Sequence, residues 1–313
     1  MNRYHTQKVC LHPVSQKPLD LLTGYQEDRE RRLAFNQLAM KVFGHWFEMH
    51  NLSFETWYQA GYWNEKYIPY TLFEKGIAIA NVSVNILDFN VLGNTVSTIQ
   101  IGTVMTHPDY RHQQLNRLLM EQVLADWEKK VSLIYLYANP TVLELYPKFG
   151  FTPAKEYAWY GTVNHGLKLN SGVEKLNMEN RDHQALLCQS IRESVPFSKV
   201  VMYDNPDLVM FSALTMLKND IWYLPAEHCM AIATRDEDTL HLLDVYGRQP
   251  VALERIVATL ALPRTKMVHF GFTPLDCEKY QSSPVVAEDT LFIRGEPLPL
   301  TDERWMFPLL SHA

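Results

Sequence analysis

Apolar residues in the first part of the chain repeat with two different periods. Between Gln26 and Met49 they recur every four or five positions, and charged residues fill the opposite face, which predicts a helix. Two apolar stretches, 77–87 and 96–105, predict β-strands. Gly93 and Asn94 lie between these stretches and are typical of a hairpin turn, so the two strands are predicted to pair with each other.

The next segment changes from strand to helix and back again. His107-Pro108-Asp109-Tyr110 interrupts the second strand, and apolar residues on one face predict a helix over 114–129. An apolar run over 132–138 predicts a strand, a second helix is predicted over 141–148, and a further strand begins at Phe151. This order of elements indicates an α/β arrangement with a crossover connection.

The second half of the chain repeats the mixture of helical and strand-like patterns. A polar, glycine-containing stretch, Gly161 to Gly172, predicts a linker. The chain is therefore predicted to divide into one domain over 1–160 and a second α/β domain over 161–313. The predicted helices of the second domain cover 180–194, 207–217 and 251–262, and its predicted strands cover 221–224, 230–234, 240–246, 267–272 and 291–294.

Composition narrows the classes of partner and compartment. The 313 residues are 47% hydrophobic and 20% charged, with a formal net charge of −6, so nothing attracts the chain as a whole to nucleic acid or to an anionic membrane. The four cysteines are scattered, which predicts reduced thiols and no metal site. The N-terminus lacks the apolar core of a signal peptide, and no apolar run reaches membrane-spanning length. We therefore expect a cytoplasmic protein.

The loop that follows the strand over 96–105 is a candidate anion site. It opens directly into the helix over 114–129. A helix N-terminus offers unpaired backbone N–H groups and the positive end of the helix dipole, which suit a phosphate group. The pattern alone is a weak signal, because many α/β proteins have such loops and most of them are unoccupied turns.

The same loop resembles the GCN5-related N-acetyltransferase (GNAT) superfamily. That family marks its pyrophosphate loop with Arg or Gln, two residues, Gly, one residue, and then Gly or Ala. Arg111 matches the first position and is followed by a leucine-rich helix, whereas Gln114 and Asn116 replace the two small residues. Downstream, the stretch from Asn139 to Phe151 is similar to a later family motif, so the resemblance spans roughly residues 26–159.

The resemblance implies a fold, a co-substrate and a set of binding residues. The fold would have a mixed central sheet flanked by helices, and acetyl-CoA would be the co-substrate, with no metal. The backbone of the strand end would hold pantetheine, the loop the pyrophosphate, and an asparagine the coenzyme arm. The residues expected to bind the coenzyme are Val104, Met105, Thr106, Arg111, His112, Gln113, Gln114, Leu115, Asn116, Arg117 and Asn139.

Tyr146 is the expected catalytic acid. Acetyl transfer from a thioester to an amine releases a thiolate, which a nearby phenol can protonate. The resemblance assigns that role to Tyr146, and the alternative is a tyrosine that only packs beneath the helix. Some family members carry a glutamate that acts as the general base, and the matching residue in this chain is Gln100. The amide of Gln100 cannot usefully accept a proton. The base could then be water or His107, or the acceptor could arrive neutral.

The pentapeptide FGFTP occurs twice, at 149–153 and 270–274. The first copy follows a predicted helix and the second follows a predicted strand, with Met267 where Tyr146 would stand, so we interpret the repeat as coincidence. The element order around Arg111 does recur over 240–272. The second half is therefore either a degenerate copy in which Arg248 still meets an anion or, as we expect, a scaffold.

The sequence thus favours an N-acetyltransferase that transfers an acetyl group directly within a ternary complex. Its acceptor would be a small-molecule or peptide amine. An aromatic stretch has the composition of a core: Trp57, Tyr62, Trp63, Tyr67 and Tyr70. We expect the acceptor to be selected by the second domain and by the part of this stretch from Tyr62 to Tyr70. The competing function is a non-catalytic acyl-CoA sensor or partner-binding module, which the substitutions at Gln100, Gln114 and Asn116 favour.

Overall fold

The computed structural model describes residues 3–167, 172–300 and 304–312, and these build two mixed β-sheets flanked by helices. The strands in chain order are β1 (Thr6–Leu11), β2 (Pro18–Thr23), β3 (Tyr67–Glu74), β4 (Ile77–Val91), β5 (Asn94–Thr106), β6 (Leu133–Ala138), β7 (Thr152–Pro153), β8 (Tyr157–Thr162), β9 (Glu174–Lys175), β10 (Val200–Tyr203), β11 (Ile221–Leu224), β12 (Cys229–Asp236), β13 (Thr239–Gly247), β14 (Met267–Phe270), β15 (Gln281–Pro284) and β16 (Thr290–Gly295). The helices are α1 (Arg29–Met49), α2 (Phe54–Gln59), α3 (Leu115–Trp127), α4 (Arg181–Arg192), α5 (Pro206–Ala213) and α6 (Leu253–Leu260).

The first sheet has the strand order β1-β2-β3-β4-β5-β6-β16-β7, and β10 also pairs with β4. β4 and β5 form the predicted hairpin around Leu92 and Gly93, and both strands are longer than predicted. β5 and β6 are parallel, and α3 connects them as the predicted crossover. Successive residues of β4, such as Ala78 and Ile79, pack against α1 and α3 respectively. The two helices therefore cover opposite faces of the sheet.

The second sheet repeats this arrangement with other residues. Its order is β15-β8-β14-β13-β12-β11-β9. β12 and β13 are antiparallel, and α6 connects β13 to its parallel neighbour β14. The predicted recurrence of strand, loop, helix and strand is confirmed. The two FGFTP segments still differ in context, because the first follows a 3₁₀ turn over Tyr146–Phe149 and the second follows β14.

Strands from beyond residue 161 complete the first sheet. β16 lies between β6 and β7, and β10 pairs with the far end of β4. The domain boundary between residues 160 and 161 stays a prediction. Each sheet contains residues from both sides of that boundary. The predicted linker is wrong at its start, because Gly161 and Thr162 lie in β8 and pair with β14. The rest of that linker prediction includes residues 168–171, which lie outside the described residues.

The helix predicted over 141–148 is also wrong. In its place are two short 3₁₀ segments, Pro140–Val142 and Tyr146–Phe149. Pro147 lies inside the predicted range, where it lacks the backbone N–H donor that a continuous α-helix needs beyond its first turn. This break leaves Tyr146 at the start of a tight turn instead of on a helix face.

The aromatic stretch packs between the two halves of the chain. Trp57, Trp63, Tyr67 and Tyr70 are buried, which confirms the core interpretation for them. Trp57 Nε1 donates a hydrogen bond to the backbone oxygen of Asp207 at 2.7 Å. No described helix has both the length and the apolar character needed to cross a bilayer.

Candidate active site

The two parallel strands of the first sheet separate part of the way along their length. β5 and β6 pair only from Thr98 opposite Leu133 to Ile101 opposite Leu136. β5 continues to Thr106 and beyond Ile101 remains paired with β4 alone. A cavity of about 620 Å³ opens where the strands diverge. Its size is in the range of small-ligand sites.

A bulge in β5 marks the point of divergence. The β4–β5 register shifts between Asn81 and Ser83, and Thr103 has φ +48°. A β-branched residue in this left-handed region is strained. Asn81 Nδ2 donates to the Thr103 carbonyl at 2.8 Å, and the Tyr67 hydroxyl donates to Thr103 Oγ1 at 2.9 Å. The strained residue is therefore fixed from two sides, as is common at functional sites.

Four of the predicted site residues line this cavity: Val104, Asn116, Asn139 and Tyr146. Thr106 Oγ1 donates to Asn116 Oδ1 at 2.8 Å, so the end of β5 is bonded to the first turn of α3. Asn139 follows β6, and its Oδ1 accepts a hydrogen bond from the backbone N–H of Thr141 at 3.0 Å. The structure thus brings residues from three separate segments to one opening.

The other predicted coenzyme residues lie outside the cavity lining. The side chains of Met105 and Leu115 are buried in the core, which leaves only their backbone for a ligand. Arg111, His112 and Gln114 are exposed, Gln113 is half-buried, and Arg117 forms an exposed ion pair with Glu121 at 2.8 Å. Residues 111–115 and Arg117 surround the N-terminus of α3 and not the point where β5 and β6 diverge.

The loop adopts unusual backbone torsions. His112 has φ +62° and Gln114 has φ +61°, and Gln114 is the N-cap of α3 without a side-chain capping bond. Asn116 is helical, so the tolerance of asparagine for left-handed torsions is not used there. The left-handed residue is Gln114, where the family pattern has glycine.

Tyr146 is buried and retains its proton at neutral pH. Its ring lies 5.9 Å from the ring of Phe292, on β16, and 6.2 Å from that of Phe151. Burial, and to a smaller degree the charge of Asp289, raises the pKa of Tyr146 to about 12. No hydrogen bond joins its hydroxyl to another described residue. The phenol is therefore a protonated group with an available donor at the cavity.

Glu156 lines the same cavity and was not predicted as a site residue from the sequence. Its Oε1 accepts hydrogen bonds from the Tyr137 hydroxyl at 3.1 Å and from the backbone N–H of Phe307 at 2.8 Å. Burial raises the pKa of Glu156 to about 7.

His107, the earlier candidate base, is not among the described residues that line the cavity. Its Nδ1 instead accepts from the backbone N–H of Asp109 at 3.3 Å.

Asp289 and His312 reach the cavity from the last part of the chain. Although the Asp289 side chain is largely exposed, its partial desolvation and the charge of Glu288 raise the pKa of its carboxyl group. The ring of His312 lies 3.9 Å from that of Tyr137, and burial lowers the pKa of His312 to about 3, so the imidazole is neutral. No sequence signal marks Glu156, Asp289 or His312, because each reaches the cavity only through long-range packing.

A second cavity of about 540 Å³ adjoins the first. Residues that line both cavities are Phe43, Trp46, Thr103, Asp289, Leu309 and His312. The remaining wall is apolar and includes Phe211 and Leu243 from the second half of the chain. A site that extends from the divergent strands toward the interface between the two halves is thus present.

The equivalent point of the second sheet is closed. Gly271 follows β14, and a Cβ there would lie 2.7 Å from the carbonyl oxygen of Leu243 on β13. The cavity lined by Asp244, Tyr246 and Phe272 measures only about 50 Å³. Arg248 forms an ion pair with Glu193, and Pro250 lies before the first turn of α6, which starts at Leu253, rather than within it.

A wider surface depression of about 750 Å³ near Pro263 is a poorer candidate. None of the predicted site residues lines it, and its Lys266 forms an ion pair with Asp238 at 3.1 Å. Among the described residues, no group of three or more His, Cys, Asp or Glu side chains is arranged to hold a metal ion. The cavity at the divergent strands is therefore the candidate active site.

Comparison with known proteins identifies the first domain. Residues 29–154 match the family model of the acetyltransferase (GNAT) domain. No curated protein matches the chain. A conserved protein of unknown function from Enterococcus faecalis V583, titled a probable N-acyltransferase, superimposes with a TM-score of 0.58 at 14% identity, covering 93% of this chain and 72% of that one.

Two further solved structures have the same architecture. A GCN5-related N-acetyltransferase from Kribbella flavida has a TM-score of 0.54, and Eis1 from Mycobacterium abscessus has a TM-score of 0.53. Each is 14% identical and covers 88% of this chain and 72% of its own. At this identity the similarity establishes the fold. The chain therefore contains a GNAT domain at residues 29–154, to which a second α/β domain is attached.

Proposed function

We propose that the protein is an acetyl-CoA-dependent N-acetyltransferase that transfers the acetyl group directly to an amine within a ternary complex. The observation that carries the proposal is the position of Tyr146, a protonated phenol lining the cavity where β5 and β6 diverge. A general acid is what a thiolate leaving group requires. The family assignment supports acyl transfer, and the acetyl group and the amine are the more specific parts of the proposal.

The residues present fit a coenzyme A molecule. β5 from Gly102 to Thr106 lacks a strand neighbour on the β6 side, so its backbone groups can bond to the amides of pantetheine. Asn116 and Asn139 lie at the same opening. The N-terminus of α3 offers backbone N–H groups for the pyrophosphate, and exposed Arg111 adds a positive charge there. Acetyl-CoA would supply the thioester when bound.

The proposed chemistry uses two side chains as proton carriers. Glu156, with a pKa near 7, takes one proton from the acceptor ammonium. The neutral amine then forms a C–N bond to the thioester carbonyl carbon, and the C–S bond breaks. Tyr146 gives its proton to the departing sulfur and regains one from the new amide nitrogen. The net result is an N-acetyl amine, a free thiol and one proton released from Glu156 to solvent.

The second candidate is an acyl-CoA sensor without catalysis. The observation that favours it is the strained, exposed Gln114 at the position where the family has glycine. The two functions are separated by measuring thermal stabilisation by acetyl-CoA and then the release of free thiol over a panel of amines. Thiol release that depends on both the amine and Tyr146 supports the enzyme. Stabilisation without thiol release from any amine supports the sensor.

A further inference from the structure

The second cavity is formed by both halves of the chain and is mainly apolar. Helix α1 and the segment after it contribute Trp46, Phe47 and Leu52, and the second half contributes Phe211 and Leu243. The described polar side chains in its lining are Thr103, Ser212, Asp289 and His312. A volume of about 540 Å³ accommodates a small molecule and not a folded peptide segment.

The charge around this space is negative. Asp289 lines both cavities, and Glu156 and Glu288 line the first. No described lysine or arginine lines either cavity, and His312 is neutral because burial lowers its pKa to about 3. A cation is therefore attracted to the junction of the two cavities.

Asp289 connects the apolar space to the reaction centre. Its charge contributes to the raised pKa of Tyr146, which places the carboxylate within electrostatic reach of the expected acid. An acyl tail in the second cavity would gain nothing from a carboxylate at the junction, whereas an ammonium group would. The position of Asp289 thus favours an amine over an extended acyl chain as the occupant.

We propose that the acceptor is a small monoamine with an apolar aryl or alkyl body, which binds with its ammonium group at Asp289 and its body in the second cavity. The proposal rests on the proposed acetyltransferase function for its reaction and on the lining of the cavity for its ligand class. A polyamine would place further ammonium groups against the apolar walls of Phe47, Phe54 and Phe211 and would bind poorly.

The test uses four probes on the full-length protein in the presence of CoA or acetyl-CoA. Phenethylamine and hexylamine carry one ammonium and an apolar body, 2-phenylethanol is the neutral analogue of the first, and spermidine is the polyamine. Calorimetry measures binding with CoA present, and thiol release measures transfer from acetyl-CoA. We expect the two monoamines to bind and to be acetylated in preference to spermidine, and we expect 2-phenylethanol to bind more weakly than phenethylamine.

Two variants with matched controls test the residues. Asp289→Asn removes the charge and is expected to raise KM for phenethylamine about fivefold, since Asp289 is solvent-exposed and its interaction is screened. Asp236→Asn changes an exposed aspartate outside both cavities. Met216→Lys places a cation at the second cavity and is expected to weaken the binding of the monoamines by about fivefold or more. Its control is Leu262→Lys, because Met216 and Leu262 are both 37% exposed.

The outcomes separate this inference from the enzymatic proposal. Thiol release that prefers spermidine overturns the inference and leaves the acetyltransferase function standing. The inference is also overturned if octanoyl-CoA binds more tightly than acetyl-CoA to the wild type and loses that advantage in Met216→Lys. The second cavity would then hold the acyl chain. Phenethylamine that binds through Asp289 without any thiol release supports the amine site and overturns the enzymatic proposal. Equal binding of phenethylamine to the wild type and Asp289→Asn overturns the inference.

Discussion

Tyr146 and Asp289 line one cavity although they come from different halves of the chain, and the aspartate charge adds to burial in raising the pKa of the phenol to about 12. The ring of Tyr146 also contacts Phe292, three residues beyond Asp289, on β16. The first domain therefore supplies the expected acid, and the return of the chain to the first sheet supplies its surroundings. The predictions below test this division of roles.

Tyr146→Phe is expected to lower kcat by about a hundredfold and to leave the affinity for acetyl-CoA nearly unchanged. The change removes the phenolic proton and keeps the aromatic packing against Phe151 and Phe292. Steady-state kinetics and calorimetry measure the two effects. Tyr160→Phe, in β8 of the second sheet, is the control. Full turnover in the Tyr146 variant would show that the residue only packs.

Glu156→Gln is expected to flatten the pH dependence of stability. The folded pKa of Glu156 is about 7, and that of an unfolded glutamate is about 4.3, so the folded state binds more protons between these values. Stability from this group is thus present at low pH and lost as the pH rises from about 4 to about 7. Glutamine keeps the oxygen that accepts from Tyr137 and Phe307.

The variant should therefore gain on the order of 2 kcal/mol in the free energy of unfolding over wild type at pH 8, and nothing at pH 4. Urea unfolding at both pH values measures this, with exposed Glu179→Gln as the control. The same variant should also lose the rise in kcat with pH near neutrality if Glu156 takes the acceptor proton. A pH–rate profile that matches that of wild type would assign the proton to another group.

Gln114→Gly is expected to stabilise the fold by about 1 kcal/mol, because glycine adopts φ +61° without the penalty that a Cβ imposes. We also expect it to tighten acetyl-CoA binding by removing a long side chain from the phosphate side of the loop. Chemical unfolding and the dissociation constant of acetyl-CoA, at one salt concentration, measure the two effects.

His112→Gly is the matched control, because His112 has nearly the same torsion, φ +62°, at a position where the family pattern has no glycine. Relief of strain predicts the same stabilisation from both variants, and removal of the obstructing Gln114 side chain predicts tighter acetyl-CoA binding from Gln114→Gly only. Weaker binding in Gln114→Gly would mean that the glutamine amide is itself a phosphate ligand.

One coenzyme molecule is expected to bind per chain. The second sheet repeats the antiparallel strand pair and the crossover to a parallel strand, but Gly271 packs against Leu243 and the space at that point is only about 50 Å³. Arg248 already forms an ion pair with Glu193. Calorimetry with acetyl-CoA should give a single site, and Arg248→Ala should leave its affinity unchanged. Two equivalent sites would restore the second half as a ligand-binding copy.

A chain truncated after Gly161 is expected not to fold. The truncation removes β16 from between β6 and β7 and removes Phe292 from the ring of Tyr146. Circular dichroism and thermal melting compare the truncated chain with the full-length protein. A cooperative melt that responds to acetyl-CoA would show that the first domain is independent and that β16 is dispensable.

The sequence by itself determined the alternation of helices and strands, the β4–β5 hairpin, the crossover from β5 through α3 to β6, and the GNAT-like character of the first domain. These features depend on local periodicity, turn residues and motif order, which neighbouring residues specify. Even there, the helix predicted over 141–148 was wrong, because Pro147 lies inside that range without a backbone N–H donor and outweighs the apolar spacing.

Only the tertiary structure decided what surrounds Tyr146. Burial among distant segments raises the pKa of Glu156, and the backbone N–H of Phe307, 151 residues away, donates a hydrogen bond that opposes this shift. Tyr135 donates a hydrogen bond to the backbone oxygen of Ser311 over a separation of 176 residues. Asp289 enters the cavity because β16 pairs with β6. Such contacts depend on strand pairing and burial between distant segments, and no local pattern of residues encodes which segments will meet.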